Sequence, residues 1–401
     1  MPEAARNIAG LRTALLIASD GPGGAERVVA HLAMALRARG AYALVVVPTD
    51  GEGWLEHELA DSGVAIERFR IERPLSPRSA RALADTLRRH RIDVAHGHEF
   101  SMAVYGAWAC WRAGIPHVIT MHGGRYHAER FRRRLALRAA VAVSAQTVAV
   151  SRCYARTLSH DLWMHAASIA TIPNGVRYVP PRRITLREEL RLGRSDRLVV
   201  AVGNLYPVKG HRHLIAALAL IARRHPRVHV AISGRGELAE ALSAQARTLG
   251  VADRVHLLGL RSDVPAVLEA ADIFVLPSLS EGLPLALLEA MFAGRPIVAS
   301  DVGDVRAALA NGTAGIVVRP GDSTAIAAGL DRLLKDHVQA SALGSIAASH
   351  ARAEYDLSRM VDRYIDAYQA ARGVRPADVV SRNGITLPHI EHGTPAPPPT
   401  T

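Results

Sequence analysis

The sequence predicts an α/β fold: two parallel sheets, each flanked by helices, facing across a cleft. Three observations lead there. Short apolar runs alternate with helix-length segments along nearly the whole chain, the rhythm of repeated βαβ units. A length of 401 residues suits two or three domains, and two sheets of about six strands fit it better than one of about twelve. One seam rich in proline and glycine, Pro173–Arg183, breaks the rhythm near the middle.

Composition removes other classes. At 49% hydrophobic and 21% charged residues, the chain can bury large cores and is not wholly disordered. Cys110 and Cys153 are its two cysteines, which excludes a disulfide framework or zinc ribbon and fits a reducing, cytoplasmic setting. No uncharged apolar run reaches about 18 residues, so no membrane-spanning helix is expected. Leu11–Ser19 is too short for a signal-peptide core and reads as a first strand. The net charge of +12 suits nucleic acid, an anionic membrane surface or an anionic substrate. Only 4% of residues are aromatic and no recognition motif is present, which argues against nucleic acid.

Taken in order, the amino-terminal strands are expected at Thr13–Ala18, Leu44–Val47, Val94–His96, His117–Thr120, Thr147–Val150 and Ile169–Ile172. Helical patterns lie between them, as at Ala25–Arg39, Pro77–His90 and Ser101–Ala113. After the seam, Thr185 with Glu188 three residues on has capping-box spacing. Strands follow at Leu198–Val202, Val228–Ser233, Val255–Leu258, Ile273–Leu276, Pro296–Ser300 and Gly315–Val318. Each half therefore reads as one Rossmann-like domain, residues 1–176 and 177–356. Their strand ends should line the cleft. Residues 374–401, with Pro376, Pro388, Pro395 and Pro397–Pro399, read as a disordered tail.

The most informative stretch is Pro277–Ser300, PSLSEGLPLALLEAMFAGRPIVAS. A strand runs into a loop carrying Glu281 and Gly282, and Pro284 suits the first turn of a helix ending near Gly294. Free N–H groups near Leu283–Leu285 favour a phosphate or sugar oxygen. Glu281 sits at the strand edge. Glu289 lies in an apolar run, LALLEAMFA, where a merely solvated face is hard to fit. Carboxylates suit hydroxyl-rich ligands because each accepts several hydrogen bonds.

Other positions join this one. Only Lys209 and Lys335 among 49 basic residues are lysine, yet Lys209 stands in a glycine-flanked turn between a strand and a helix. A compact charge there suits a diphosphate. In the loop Asp20–Gly24, Gly23 and Gly24 let a ligand approach the backbone. This is not a GxGxxG pattern, so a dinucleotide site is a weak reading. His122 ends a strand and should point into the cleft, and His96 and His98 could line its acceptor side. No HExxH-type metal spacing occurs. Gly123–Ala140 carries six arginines against Glu129, a net +5, with Phe131, Leu135 and Leu137 interleaved. Such a basic amphipathic helix can lie on an anionic leaflet.

The Glu281-x7-Glu289 segment resembles the retaining GT-B glycosyltransferases of family 4, "glycosyl transferase group 1". Gly23-Gly24-Ala25-Glu26, Pro173-Asn174-Gly175-Val176, Val202–Gly210 (VGNLYPVKG), Gly234-Arg235-Gly236-Glu237 and Leu258-Gly259 match in place and order. The likeness covers roughly residues 11–372. It implies a GT-B fold with an amino-terminal acceptor domain, a carboxy-terminal nucleotide-sugar domain, and a helix at 357–373 crossing back. It implies transfer of a sugar from a nucleotide sugar to a glycan or lipid-linked acceptor, with retention at the anomeric carbon and no metal or other cofactor.

By resemblance, Glu289 holds the ribose hydroxyls and Lys209 the diphosphate. Glu281, with the backbone of Gly282, Leu283 and Leu285, holds the donor sugar. Gly23, Gly24, Gly234 and Arg261 complete the donor site, and His122 faces the reacting centre. The leaving phosphate takes the acceptor proton, without an enzyme nucleophile. The family pairs its lysine with an arginine five positions earlier; here that position is Asn204. Arg212, Arg235 and Arg261 are the candidates to supply the missing charge. The resemblance further implies work on cell-surface polysaccharide or glycolipid at the inner face of a membrane. A nucleotide-sugar epimerase of similar fold and a non-catalytic nucleotide-sugar-binding scaffold are the alternatives.

Overall fold

The structure is a computed structural model that describes residues 8–71, 76–124 and 126–374. The expected tail, Val374 apart, lies outside the described residues, as does Arg125 of the basic segment. Two parallel sheets are present, one of seven strands and one of six.

The first comprises β1 (Arg12–Leu16), β2 (Tyr42–Pro48), β3 (Ala65–Phe69), β4 (Val94–His98), β5 (His117–Met121), β6 (Gln146–Ala149) and β7 (Ile169–Thr171), in the order β3-β2-β1-β4-β5-β6-β7. The second comprises β8 (Arg197–Val202), β9 (Val228–Ser233), β10 (Val255–Gly259), β11 (Ile273–Leu276), β12 (Ile297–Ser300) and β13 (Ile316–Val318), in the order β10-β9-β8-β11-β12-β13. Runs such as LVVA and IFVL are buried on both faces, as parallel strands covered by helices must be.

The amino-terminal helices are α1 (Gly24–Ala38), α2 (Trp54–Leu59), α3 (Pro77–Arg89), α4 (Glu99–Ala113), α5 (Phe131–Val143) and α6 (Arg152–Asp161). The carboxy-terminal ones are α7 (Leu186–Glu189), α8 (His211–Ile221), α9 (Ala239–Thr248), α10 (Val264–Ala270), α11 (Leu285–Phe292), α12 (Val305–Ala308), α13 (Ser323–Lys335) and α14 (His337–Glu354). The last described helix, α15 (Leu357–Arg372), packs against α1, β4 and β5 of the other half. None of the described helices is long and apolar enough to cross a membrane.

Three local expectations need correction. Strand β3 and helix α2 were not expected, which makes the first sheet seven-stranded. Thr185 precedes α7 but makes no capping box; its hydroxyl bonds Glu189 Oε1 at 2.5 Å instead. Pro284 is the extended residue before α11 rather than part of its first turn.

Sheet order decides where ligands can bind. The direction in which successive strands are added reverses between β1 and β4 in the first sheet and between β8 and β11 in the second, although each pair is parallel. The diverging loops at such points leave a crevice at the strand C-terminal ends. The connections after β1 and β4 carry Gly23, Gly24 and Glu99, the last two opening α1 and α4. Those after β8 and β11 carry Asn204, Lys209 and Glu281.

The cross-back helix ties the halves together. Tyr364 and Tyr368 of α15 are wholly buried on the amino-terminal sheet. His96 bonds the Tyr368 hydroxyl through Nδ1 at 2.7 Å and Thr120 Oγ1 through Nε2 at 2.7 Å. Tyr364 reaches the same threonine at 3.1 Å. His96 therefore belongs to the α15 interface and not to the acceptor side of the cleft.

Candidate functional site

The two crevices face each other across a cavity of about 440 Å³. On the carboxy-terminal wall, Gly210 takes φ +65°, and a Cβ there would collide with the Pro277 carbonyl. Glycine thus lets the β8 and β11 loops touch, and Leu279 N–H bonds the Val208 carbonyl at 2.8 Å. The contact brings Lys209 Nζ to 2.7 Å from Glu281 Oε1, which also accepts from Ser278 Oγ at 2.8 Å. Beside this pair the approach to α11, Leu283 and Pro284, and its first turn, Leu285 and Ala286, open onto the cavity. The N–H groups of a first helical turn lack intrahelical partners and favour an anion or a sugar oxygen.

Glu289 lies one turn further along α11. Its side chain is 15% exposed and stands 3.5 Å from Arg27 Nη1 of α1. Burial raises its pKa, and Arg27 opposes that shift. Asn204 and Gly234 also line the cavity. A Cβ on Gly234 would strike the Gly203 carbonyl, so the two loops run backbone to backbone there.

The amino-terminal wall is built from Gly23, Gly24, Glu26, Arg27, Glu99, His122 and Asn174. Asp20, ahead of the glycines, is buried and accepts from the N–H groups of Gly53 and Leu55 at 2.8 and 2.6 Å. It fixes the loop to the start of α2. His122 Nε2 meets His98 Nδ1 at 2.9 Å. Burial holds both imidazoles neutral, with His122 lowered to about 4 and His98 also well below its ordinary value. Only one proton is needed between them. Among the described residues, the Nδ1 of His122 and the Nε2 of His98 have no hydrogen-bond partner. His98 is wholly buried, and the cavity lining includes His122 but not His98. It backs His122 rather than lining the acceptor side.

The walls meet without side chains between them. A Cβ on Gly123 would lie 2.9 Å from Gly282 N, and one on Gly282 would lie 2.7 Å from the His122 carbonyl. Asp304 reinforces the junction: its carboxylate accepts from Arg152 N–H at 2.7 Å and Cys153 N–H at 2.8 Å. Thus a carboxylate of one domain caps helix α6 of the other. Asn174 in the linker adds a bond from Nδ2 to the Leu283 carbonyl at 2.8 Å.

The three arginine candidates separate. Arg261 lines the cavity but is held by Glu189 and Asp263 at 2.7 and 2.6 Å. Arg235 pairs with Glu52 of the other domain, and the Arg212 guanidinium donates from Nε to His213 Nε2 at 3.2 Å. Neither Arg235 nor Arg212 lines the cavity. Sequence reasoning missed Arg27 and Glu99 as site residues. Arg27 sits in the first turn of α1, just past the glycine loop. Glu99 directly follows a strand that ends in His-Gly-His. Both positions could have been found once the sheet order was known.

Known proteins agree with this architecture. Residues 182–350 match the family model described as glycosyl transferases group 1, and residues 22–178 that described as glycosyltransferase family 4. The D-inositol 3-phosphate glycosyltransferase of Nocardiopsis dassonvillei is 30% identical over 310 residues, 71% of this chain and 71% of that protein. The UDP-Gal:alpha-D-GlcNAc-diphosphoundecaprenol alpha-1,3-galactosyltransferase of Escherichia coli is 29% identical over 276 residues, 64% of this chain and 70% of that protein. Among solved structures, Anabaena Alr3699/HepE in complex with UDP-glucose superposes with a TM-score of 0.79 at 25% identity, covering 90% of this chain and 100% of that one. The chain belongs to the group 1, family 4 glycosyltransferases and has the GT-B fold.

Proposed function

For this glycosyltransferase we propose retaining transfer of a hexose or related sugar from a nucleotide-sugar donor to an acceptor hydroxyl. The observation that carries the reading is the Lys209–Glu281 pair beside the open first turn of α11, in the cavity that His122 lines from the other domain. Lys209 and the α11 N–H groups suit the diphosphate, where negative charge grows as the donor bond breaks. Glu281 suits the hydroxyls of the transferring sugar, and Glu289, farther along the helix, those of the ribose. The neutral His122 can share a hydrogen bond with a sugar hydroxyl without adding charge. The acceptor oxygen attacks from the face that the diphosphate leaves, and its proton passes to the departing phosphate. No step is routed through a metal or other cofactor.

Arg27 takes the place among the cavity's cations that Asn204 leaves empty. It is the cation not held by a neighbouring loop of its own domain, and its partner Glu289 is a proposed ligand for the donor. A panel of UDP-, GDP- and ADP-sugars tests the site by thermal shift and nucleotide release. One donor should stabilise the protein, and Glu289→Ala should abolish that shift. Equal shifts in wild type and variant would remove Glu289 from the donor site.

We further propose a peripheral place on the cytoplasmic face of a membrane, with a glycan or lipid-linked acceptor in polysaccharide or glycolipid synthesis. Around the basic segment Gly123–Ala140, Tyr126, Phe131 and Leu135 are exposed, and Trp163 lies 5.9 Å from Phe131, ring to ring. Aromatic rings among arginines suit an anionic headgroup layer. Replacing Arg132, Arg133 and Arg134 with glutamine should release the protein from phosphatidylglycerol vesicles. Unchanged binding would contradict this placement.

A further inference from the structure

We propose that Glu99 binds the acceptor: the carboxylate oxygen that His122 leaves free receives the hydrogen bond of the attacking hydroxyl and aims its lone pair at the anomeric carbon. The assignment rests on the transferase reading above and adds the group that orients the second substrate.

Three observations place Glu99 there. It lines the cavity from the amino-terminal side, as the first residue of α4 directly after β4 at the sheet's switch point. Its Oε1 accepts the His122 N–H at 3.0 Å, so the carboxylate is anchored beside the residue facing the sugar. Its backbone takes φ +61°, a left-handed conformation that a long side chain adopts at a cost.

A glycine or asparagine would suit that backbone better. An apolar or amide side chain would avoid burying a charge. Glutamate is disfavoured on both counts, and its bond to His122 could be made by glutamine. What glutamine cannot supply at the second oxygen is a full negative charge that only accepts hydrogen bonds. An attacking hydroxyl needs such an acceptor.

The surroundings fit that use. Glu26 of α1 lies near enough to repel Glu99, and burial raises the Glu99 pKa to about 7. His122, from the loop after β5, opposes the rise through its N–H. His98 lies behind His122, while Arg27, Lys209 and Glu281 share the same cavity. During transfer the bond from acceptor oxygen to anomeric carbon forms as the bond to diphosphate breaks. Glu99 holds the hydroxyl proton in a hydrogen bond while the acceptor docks; as the diphosphate departs, its growing negative charge draws that proton to the phosphate oxygen, and Glu99 is left ionised.

The test uses the full chain with water as acceptor, so it needs no knowledge of the natural one. Nucleotide release from UDP-glucose, GDP-mannose and ADP-glucose is followed from pH 5.5 to 8.5 for wild type, Glu99→Gln and Glu99→Gly. Binding of UDP, GDP and ADP is measured by calorimetry, and melting temperature alongside. Wild-type release should fall with acid around pH 7. Glu99→Gln should keep its melting temperature and nucleotide affinity, lower release by at least about tenfold, and lose the acid limb. Glu99→Gly relieves the backbone and serves if the glutamine variant misfolds; it too should bind nucleotide and release it slowly.

Wild-type rate and pH profile in Glu99→Gln would overturn the assignment. So would parallel loss of nucleotide affinity in both variants, which marks a donor-side or purely structural role. Failure of the transferase reading looks different: wild type then releases no nucleotide from any donor, and the Glu99 assignment falls with it.

Discussion

The carboxy-terminal wall of the cleft presents a lysine–glutamate pair and the open turn of a helix. The amino-terminal wall presents a buried pair of neutral histidines and a carboxylate on a left-handed backbone. On the first wall, charge is met by opposite charge: Lys209 and Glu281, 72 residues apart, pair where two loops adjoin, and Ser278 bonds the same carboxylate. On the second, polarity is buried and kept neutral, imidazole against imidazole or tyrosine hydroxyl. His98 and His122 are 24 residues apart, and His96 finds Tyr368 across 272. The first wall should therefore be robust in fold and fragile in chemistry, and the second fragile in both.

The largest expected effect sharpens that contrast. Lys209→Ala removes the cation proposed for the diphosphate and should lower nucleotide release by about 10²–10³-fold, as loss of one transition-state donor does. The melting temperature should stay close to wild type. A rate within about threefold of wild type would mean that Arg27 and the helix N-terminus carry the charge alone.

Acid should separate the walls next. Burial lowers His122 to about 4 and His117 to about 3, from an ordinary 6.5. As pH falls through 6.5 the unfolded chain takes protons that the folded chain refuses. Stability present above that pH is thus lost on the way down to about 4, at about 1.4 kcal/mol per unit for each such histidine. Glu99 works in the opposite sense between about 7 and 4.5, offsetting one histidine. His96 and His98 are also held well below their ordinary value. The four tryptophans, Trp54, Trp108, Trp111 and Trp163, all precede residue 177, so their emission reports the amino-terminal domain. From pH 7 to 5 the melting temperature by tryptophan emission should drop more steeply than that by circular dichroism. Coincident shifts would break the comparison.

The smallest effect concerns the junction. Asp304→Ala removes the acceptor of two N–H groups in the first turn of α6, leaving the Ser151 cap in place, and should cost about 1 kcal/mol. It should also weaken donor affinity a few-fold by loosening the contact between Gly123 and Gly282. Unchanged affinity, measured by calorimetry, would separate that contact from donor binding.

The same contrast governs what was legible in the sequence. The carboxy-terminal wall is spelled out locally, in PSLSEGLPLALLEAMFAG and in one lysine set between glycines, so its residues could be named before the fold. Glu99 and Arg27 could not, because their place depends on sheet order, which periodicity does not encode. Strand β3 escaped notice because AIERF, an edge strand, carries polar residues and offers little apolar run. His96 was misplaced because nothing local shows that Tyr364 and Tyr368 return to cover it. The alternation of strands and helices was readable because it rests on local composition.

The most direct test of the central claim is proton NMR of the sugar first released from a nucleotide-sugar donor, recorded before mutarotation. Retaining chemistry at the junction of the two walls predicts that the initial sugar keeps the donor's anomeric configuration. Release of the opposite anomer, or conversion of the donor into an epimer without release, would contradict it.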